Sequence, residues 1–294
     1  MNVKNKWIWI IFILLALIIW GGYFSLGDSI TEKDQNEGSY SIEGEEKLPD
    51  ITSIIEEKSD EINDKYKDKL PKEWGENVSG VNYSIDTDEK IIVLTLDACG
   101  SNNDGYDSKL IDYLKSENIP ATLFINYRWI EDNREVFMEL ADNPLFTIGN
   151  HGYRHLPLSV NGKSAYDIKG TENIEEVVEE VLYNEMKIKE LTGEKPQYFR
   201  TGTAFYDEIA IQIVNDLGEK VIGYDTLGDA GATFTKEEVK EALLSIKPGS
   251  IILAHMNHPE SETAEGIMAA VPELKKKGYK FVKLEDYDHK LLSR

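Results

Sequence analysis

Apolar residues along the chain fall into three regimes. From Trp7 to Phe24 they run almost unbroken and without a charge, between 28 and 79 they are sparse, and beyond 88 short β-branched runs alternate with amphipathic stretches. The first run is long enough for a helix across a hydrocarbon layer of roughly 30 Å. Lys4 and Lys6 precede it, Asp28, Glu32 and Asp34 follow it, and Trp7, Trp9, Trp20 and Tyr23 stand near its ends, where interfacial aromatics belong. This pattern predicts one transmembrane helix, an uncleaved anchor over 1–27 in the cell membrane, with the remaining chain extracytoplasmic. A cleaved signal peptide is disfavoured, because no A-x-A-like site follows the run. Residues 28–79 hold 16 acidic and 7 basic side chains, which predicts an acidic flexible stalk. Within it Ile51, Ile54, Ile55, Ile62 and Tyr66 can line a short helix.

The third regime, 80–294, reads as one α/β domain. Strands are predicted over 91–96, 121–125, 146–149, 198–200, 220–224 and 251–254, with a last one at 281–282. Helices are predicted over 107–114, 133–140, 174–191, 208–217, from 236, and over 263–275. Val177, Val178, Val181, Leu182 and Leu191 recur at helical spacing in the third, which Gly193 ends. Thr235 with Glu238 forms a capping box for the helix from 236. Strands alternating with helices in about seven units imply a parallel sheet or barrel.

Composition then removes several function classes. With 54 acidic against 32 basic residues in 294, the net charge of −22 excludes a nucleic-acid binder that neutralises phosphates. The single cysteine, Cys99, excludes an internal disulfide and a cysteine-rich zinc site, so a metal here must be held mainly by His and Asp.

In βα barrels, reacting groups gather where strands end and loops begin. Asp97-Ala-Cys-Gly100 follows the first strand, Asn150-His151-Gly-Tyr-Arg-His155 the third, and Arg200 the fourth. Asp225 and Asp229 follow the fifth, and His255 the sixth. Four of the five histidines lie at two of these places. His151 and His155 can direct two imidazoles at one ion, with an oxygen ligand from another strand end leaving open positions for water, or they can cap backbone carbonyls. Asp97 reads as a ligand or a general base, Arg200 as a partner for a carboxylate, and His255 as a proton donor in preference to a core histidine. Tyr153, Tyr206 and Trp129 are assigned to core packing in preference to sugar stacking.

In the order Thr95-Leu-Asp97, His151-x-x-x-His155, Phe199-Arg200, Asp225-Thr-Leu and Leu253-Ala-His255, the chain resembles the NodB-homology polysaccharide deacetylases of carbohydrate esterase family 4, over about 85–285. The resemblance implies a distorted (β/α)7 barrel and a divalent metal, usually zinc. It further implies His151 and His155 as metal ligands, Asp97 as base, Arg200 as its orienting partner, His255 as acid and a fourth-motif aspartate, Asp229, tuning His255. Gly202, Thr203 and Asp225 are expected to contact substrate.

One departure stands out. Most members place a second aspartate, the metal's carboxylate ligand, where this chain has Ala98. Asp97 is the first substitute, ahead of a loop residue from 102–104 or Cys99, which as a small half-buried residue reads as packing. The expectation is a metal-dependent hydrolase that removes N-acetyl groups from a cell-surface polysaccharide, plausibly peptidoglycan. The alternative, motivated by Ala98, is a non-catalytic glycan-binding module on the same scaffold.

Overall fold

The computed structural model describes residues 50–101 and 104–294. In chain order the first elements are α1 (Ile51–Tyr66), β1 (Asn82–Ile85), β2 (Ile91–Ala98), α2 (Ser108–Ser116), β3 (Ala121–Ile125), α3 (Tyr127–Asp132), α4 (Arg134–Ala141) and β4 (Phe146–Asn150). A hairpin of β5 (Ser164–Ala165) and β6 (Ile168–Lys169) follows, then α5 (Ile174–Thr192), β7 (Tyr198–Phe199), α6 (Glu208–Asp216), β8 (Lys220–Val221) and β9 (Thr226–Leu227). The chain continues through α7 (Lys236–Leu244), β10 (Ser250–His255), α8 (Thr263–Lys276), β11 (Lys280–Phe281) and β12 (Leu291–Ser293).

All eight residues of β2 are buried, as a central parallel strand covered on both faces requires. Its parallel neighbours are β3 and β10, with β11 pairing beside its first residues, and the sheet runs β12-β1-β10-β2-β3-β4-β7-β8. The two ends approach each other at a single backbone bridge, Asn82 to Ile222. There the Gly223 amide donates to the Asn82 carbonyl at 2.8 Å, and the Asn82 side-chain amide donates to the Val221 carbonyl at 3.0 Å. The strands thus curl into a distorted barrel with a thin seam, in keeping with the expected architecture.

Strand parity separates two cores. Ile91 and Val93 face inward with Phe124, Tyr198, Ile222 and Ile251. Ile92, Leu94, Leu96 and Ala98 face outward under Leu110, Leu114, Val239, Ile267 and Leu274 of the helices. α5 ends as its sequence predicts, with Gly193 left-handed at φ 80°, and α7 begins on the Thr235–Glu238 capping box.

Two expectations need correction. Among the described residues no helix is long and apolar enough to cross a membrane, so the described fold is an α/β barrel with no transmembrane helix in it; the apolar run behind that expectation, within 1–27, lies outside the described residues. Of the expected stalk, 28–79, residues 50–79 are described, and they lie against the domain. α1 buries Ile55, Ile62 and Tyr66 in a cluster with Val177, Val181, Ile213 and Val214, and the Tyr66 hydroxyl donates to Asp216 at 2.7 Å. The acidic residues of α1 occupy its outer face, so high charge there marks an amphipathic helix.

Candidate active site

The site forms at the carboxyl ends of β2, β4, β7 and β10, around a cleft of about 480 Å³. In register, Asp97 of β2 stands beside His255 of β10. Parallel pairing therefore brings two residues 158 positions apart into one layer.

Arg200, just past β7, organises this layer. Fully buried, it lies 4.3 Å from the Phe124 ring centroid. Its Nη1 donates to Thr95 Oγ1 and to Asp97 Oδ1, both at 2.8 Å, while Nε and Nη2 donate to the carbonyls of Ile222 at 3.0 Å and Gly223 at 2.9 Å. Burial alone would raise the Asp97 carboxyl, but the Arg200 guanidinium, followed by His151 and His255, outweighs it and holds Asp97 below its ordinary value. Asp97 is thus kept as an ionised carboxylate with little water around it.

His151 is nearly inaccessible, and its Nδ1 donates to the Arg200 carbonyl at 2.8 Å. That bond fixes the tautomer and leaves Nε2 as the free donor atom, 3.7 Å from Asp97 Oδ2 and 3.8 Å from Cys99 Sγ. His155 sits in left-handed backbone at φ 63°, its ring 5.0 Å from that of His151. Gly202 makes room for it, because a Cβ there would stand 2.2 Å from the His155 ring. Among the described residues His155 Nε2 is buried without any hydrogen-bond partner.

Cys99 completes the group. One donor atom each from Cys99, His151 and His155 lies within 4.8 Å of the others. Tetrahedral zinc bound by one sulfur and two nitrogens separates such atoms by about 3.5 Å, so a small contraction suffices. An orphaned buried imidazole nitrogen, a tautomer-locked imidazole and a thiol form a borderline-soft donor set that fits zinc better than magnesium or calcium. Burial would raise the thiol, but the imidazoles, His155 foremost and then His151 and His255, outweigh it and hold Cys99 well below its ordinary value.

Asp97, the expected substitute ligand, is not in this group: Arg200 holds its Oδ1, and its Oδ2 stands 3.7 Å from His151 Nε2. Ala98 packs into the outer core with no exposed surface. Residue 99 is therefore the one that takes up the place next to the imidazoles. The signal in the sequence was parity: 95, 97 and 99 share one side, and 98 faces the other.

His255 Nδ1 donates to Asp229 Oδ1 at 2.9 Å, and Asp229 Oδ2 also accepts from the His255 amide at 2.7 Å and from Thr263 Oγ1 at 3.0 Å. Burial would lower the imidazole, but the Asp229 carboxylate outweighs it and raises His255 well above its ordinary value. The cationic form of His255 is thus favoured, with Nε2 left to act. Gly202 and Thr203 line the cleft with Asp97, His155 and His255, together with Ala230 and Gly231.

Asp225 does not. Its carboxylate accepts from Ser250 Oγ at 2.9 Å and from the Ile251 amide at 3.1 Å, fastening the chain beside β10, and it lines a separate surface depression. Trp129 and Tyr206 are core residues with no exposed surface, the Trp129 indole donating to the Gly105 carbonyl at 2.9 Å.

A buried polar scaffold behind His151 was not foreseen. The Asn150 amide donates to the Val181 carbonyl at 2.9 Å and to Glu219 at 3.0 Å, while Asn150 Oδ1 accepts from the Gly152 amide at 2.9 Å and from Asn184 at 2.8 Å. Glu180, also buried, accepts from the amides of Arg154 and Leu156. Together they hold the loop bearing both histidines from behind.

Residues 84–222 match the family described as Polysaccharide deacetylase. Over 213 residues the chain is 27% identical to the peptidoglycan-N-acetylmuramic acid deacetylase PdaA of Bacillus subtilis (strain 168), covering 69% of this chain and 73% of that protein. A solved family 4 carbohydrate esterase from Bacillus anthracis has a TM-score of 0.56 at 27% identity, over 72% of this chain and 88% of that one. A CE4 family pseudoenzyme from Bacillus anthracis has a TM-score of 0.60 at 22% identity, over 70% and 67% of the two chains, which speaks for the fold alone.

Proposed function

On the premise that this chain carries a polysaccharide deacetylase domain over residues 84–222, we propose that it is a metal-dependent hydrolase releasing acetate from N-acetylated sugars of a cell-surface glycan, with peptidoglycan as the polymer. The observation that supports this best is the convergence of three units on one cleft: Asp97 with Arg200, His255 with Asp229, and the donor group Cys99, His151 and His155. PdaA, by its name, acts on an acetylated amino sugar of peptidoglycan, the same bond type.

Cys99, His151 and His155 are the residues that would hold the metal. A divalent cation there supplies positive charge that polarises an acyl oxygen and lowers the pKa of a water. Asp97, kept ionised and aimed by Arg200, takes the proton from the attacking water as its oxygen bonds to the acyl carbon. His255, kept cationic by Asp229, gives its Nε2 proton to the sugar nitrogen as the carbon–nitrogen bond breaks. Acetate and a free amine result, and the proton gained by Asp97 restores His255 through solvent.

The test joins metal analysis to acetate release from an N-acetylglucosamine oligomer by the purified full chain. We expect about one equivalent of zinc, and activity that chelation removes and zinc restores. Turnover that survives both chelation and His151→Ala sinks the reading. Ala98 favours one rival, a glycan-binding module without turnover, and saccharide binding with no acetate released under full metal loading selects it.

A further inference from the structure

One wall of the cleft is not used by the proposed chemistry. Glu76 is half-buried, and its carboxylate accepts from two phenols, Tyr166 at 3.0 Å and Tyr224 at 2.8 Å. Tyr166 is 68% exposed and packs edge-on to Phe205 at 5.3 Å, and Phe205 in turn lies 5.8 Å from Trp74. All three polar residues line the same cleft as Asp97 and His255.

The hairpin that carries Tyr166 is built at a cost. Its two turn residues, Tyr166 and Asp167, both lie in left-handed backbone, at φ 52° and 61°. Such a turn favours Asn-Gly, and a bulky residue there is strained by about 1 kcal/mol or more. The surrounding contacts do not bury the ring to offset this. What the strain achieves is to hold an exposed phenol over the cleft and against Glu76.

We propose that Tyr166, Glu76 and Tyr224 form a saccharide subsite that selects uncharged N-acetylhexosamine units and rejects units bearing a free carboxylate, such as a lactyl ether whose carboxyl is not capped by a peptide. This rests on the deacetylase reading and specifies its substrate. Both phenolic protons point at Glu76, so the carboxylate is fixed in place and its remaining lone pairs are open to sugar hydroxyls. The Tyr166 and Phe205 faces offer apolar contact to a pyranose ring. Among the described residues Glu76 has no ion-pair partner and no Lys or Arg lines the cleft, and the one cationic lining side chain, His255, is already paired with Asp229, so a carboxylate seated against Glu76 meets a like charge. Lys163 lies over the Trp74 ring at 5.8 Å, outside the lining.

The experiment compares two tetrasaccharides, an N-acetylglucosamine tetramer and an alternating N-acetylglucosamine/N-acetylmuramic acid tetramer with free lactyl groups, each assayed for kcat/KM and for Kd by calorimetry. The parent should prefer the neutral chain by at least tenfold, with the gap narrowing as salt rises from 0.05 to 0.5 M because the repulsion is screened. Glu76→Gln should reduce the preference about tenfold. Equal use of the two chains, a preference indifferent to salt, or one unchanged by Glu76→Gln overturns the subsite. If neither chain releases acetate, the hydrolase reading fails and the calorimetric preference alone decides this proposal; failure of both to bind overturns it as well.

Discussion

Replacing Cys99 by Ser is the sharpest probe of the donor group. The change keeps size and removes the thiolate, whose sulfur lies 3.8 Å from His151 Nε2. Serine's hydroxyl does not ionise in this range, so the variant presents two imidazoles in place of three ligands. Disturbing a residue that merely supports a metal ligand costs about 10-fold to 100-fold in affinity. Losing a ligand should cost at least the upper figure, about 2.7 kcal/mol. The assay has two arms. Zinc retained after dialysis against a chelator series should fall in the variant, and the cobalt-loaded parent should show a thiolate-to-metal absorption band in the near ultraviolet that the variant lacks. A variant with parental zinc affinity, or a parent cobalt spectrum without that band, refutes the assignment of Cys99 whatever happens to turnover.

Asp229→Asn removes the carboxylate that keeps His255 protonated. Because the proton donor must be charged, activity is lost as pH rises through the His255 pKa, and the alkaline limb of kcat should move down by at least about one pH unit, or about 1.4 kcal/mol; an unmoved limb counts against His255 as the donor. Ala98→Asp writes the two-aspartate pattern into the chain but buries a carboxylate beside Leu94 and Leu96. It should lower stability by roughly 2–5 kcal/mol without tightening zinc, and a stable variant with tighter zinc shows that residue 98 can turn inward. For Glu219, burial and then the Glu185 carboxylate raise the acid well above its ordinary value, against opposition from Asn150 and Lys195. The unfolded chain releases this proton first, so stability falls as pH climbs from about 4.5 toward the folded pKa. Glu219→Gln should flatten that slope in urea midpoints measured from pH 4 to 8, and parallel curves for parent and variant refute the assignment.

The sequence carried the central parallel strands well. β2, β3 and β10 are short, largely apolar runs buried on both faces, and their ends brought Asp97 and His255 into the predicted layer. The antiparallel additions β1 and β12 escaped notice, being short, mixed in polarity and paired across 200 residues. Asp225, which stands away from the cleft, and Cys99, which stands beside the imidazoles, were placed less well for a shared reason. Being near a strand end says nothing about which side of the sheet a residue faces, and a single residue of offset separates a cleft position from an outer one. The Glu180 and Asn150 scaffold was invisible because buried polar residues, read one at a time, look like solvent-facing ones.

Arg200 joins two tasks that are usually separate. Two of its donors hold Ile222 and Gly223, the chain that meets Asn82 where the cylinder shuts, and a third holds the carboxylate assigned to water activation. Loosening of that join by heat would release the guanidinium from its carbonyls and let Asp97 drift. On the hydrolase reading, acetate release should therefore fail at a lower temperature than secondary structure, falling silent while most of the helices are still intact.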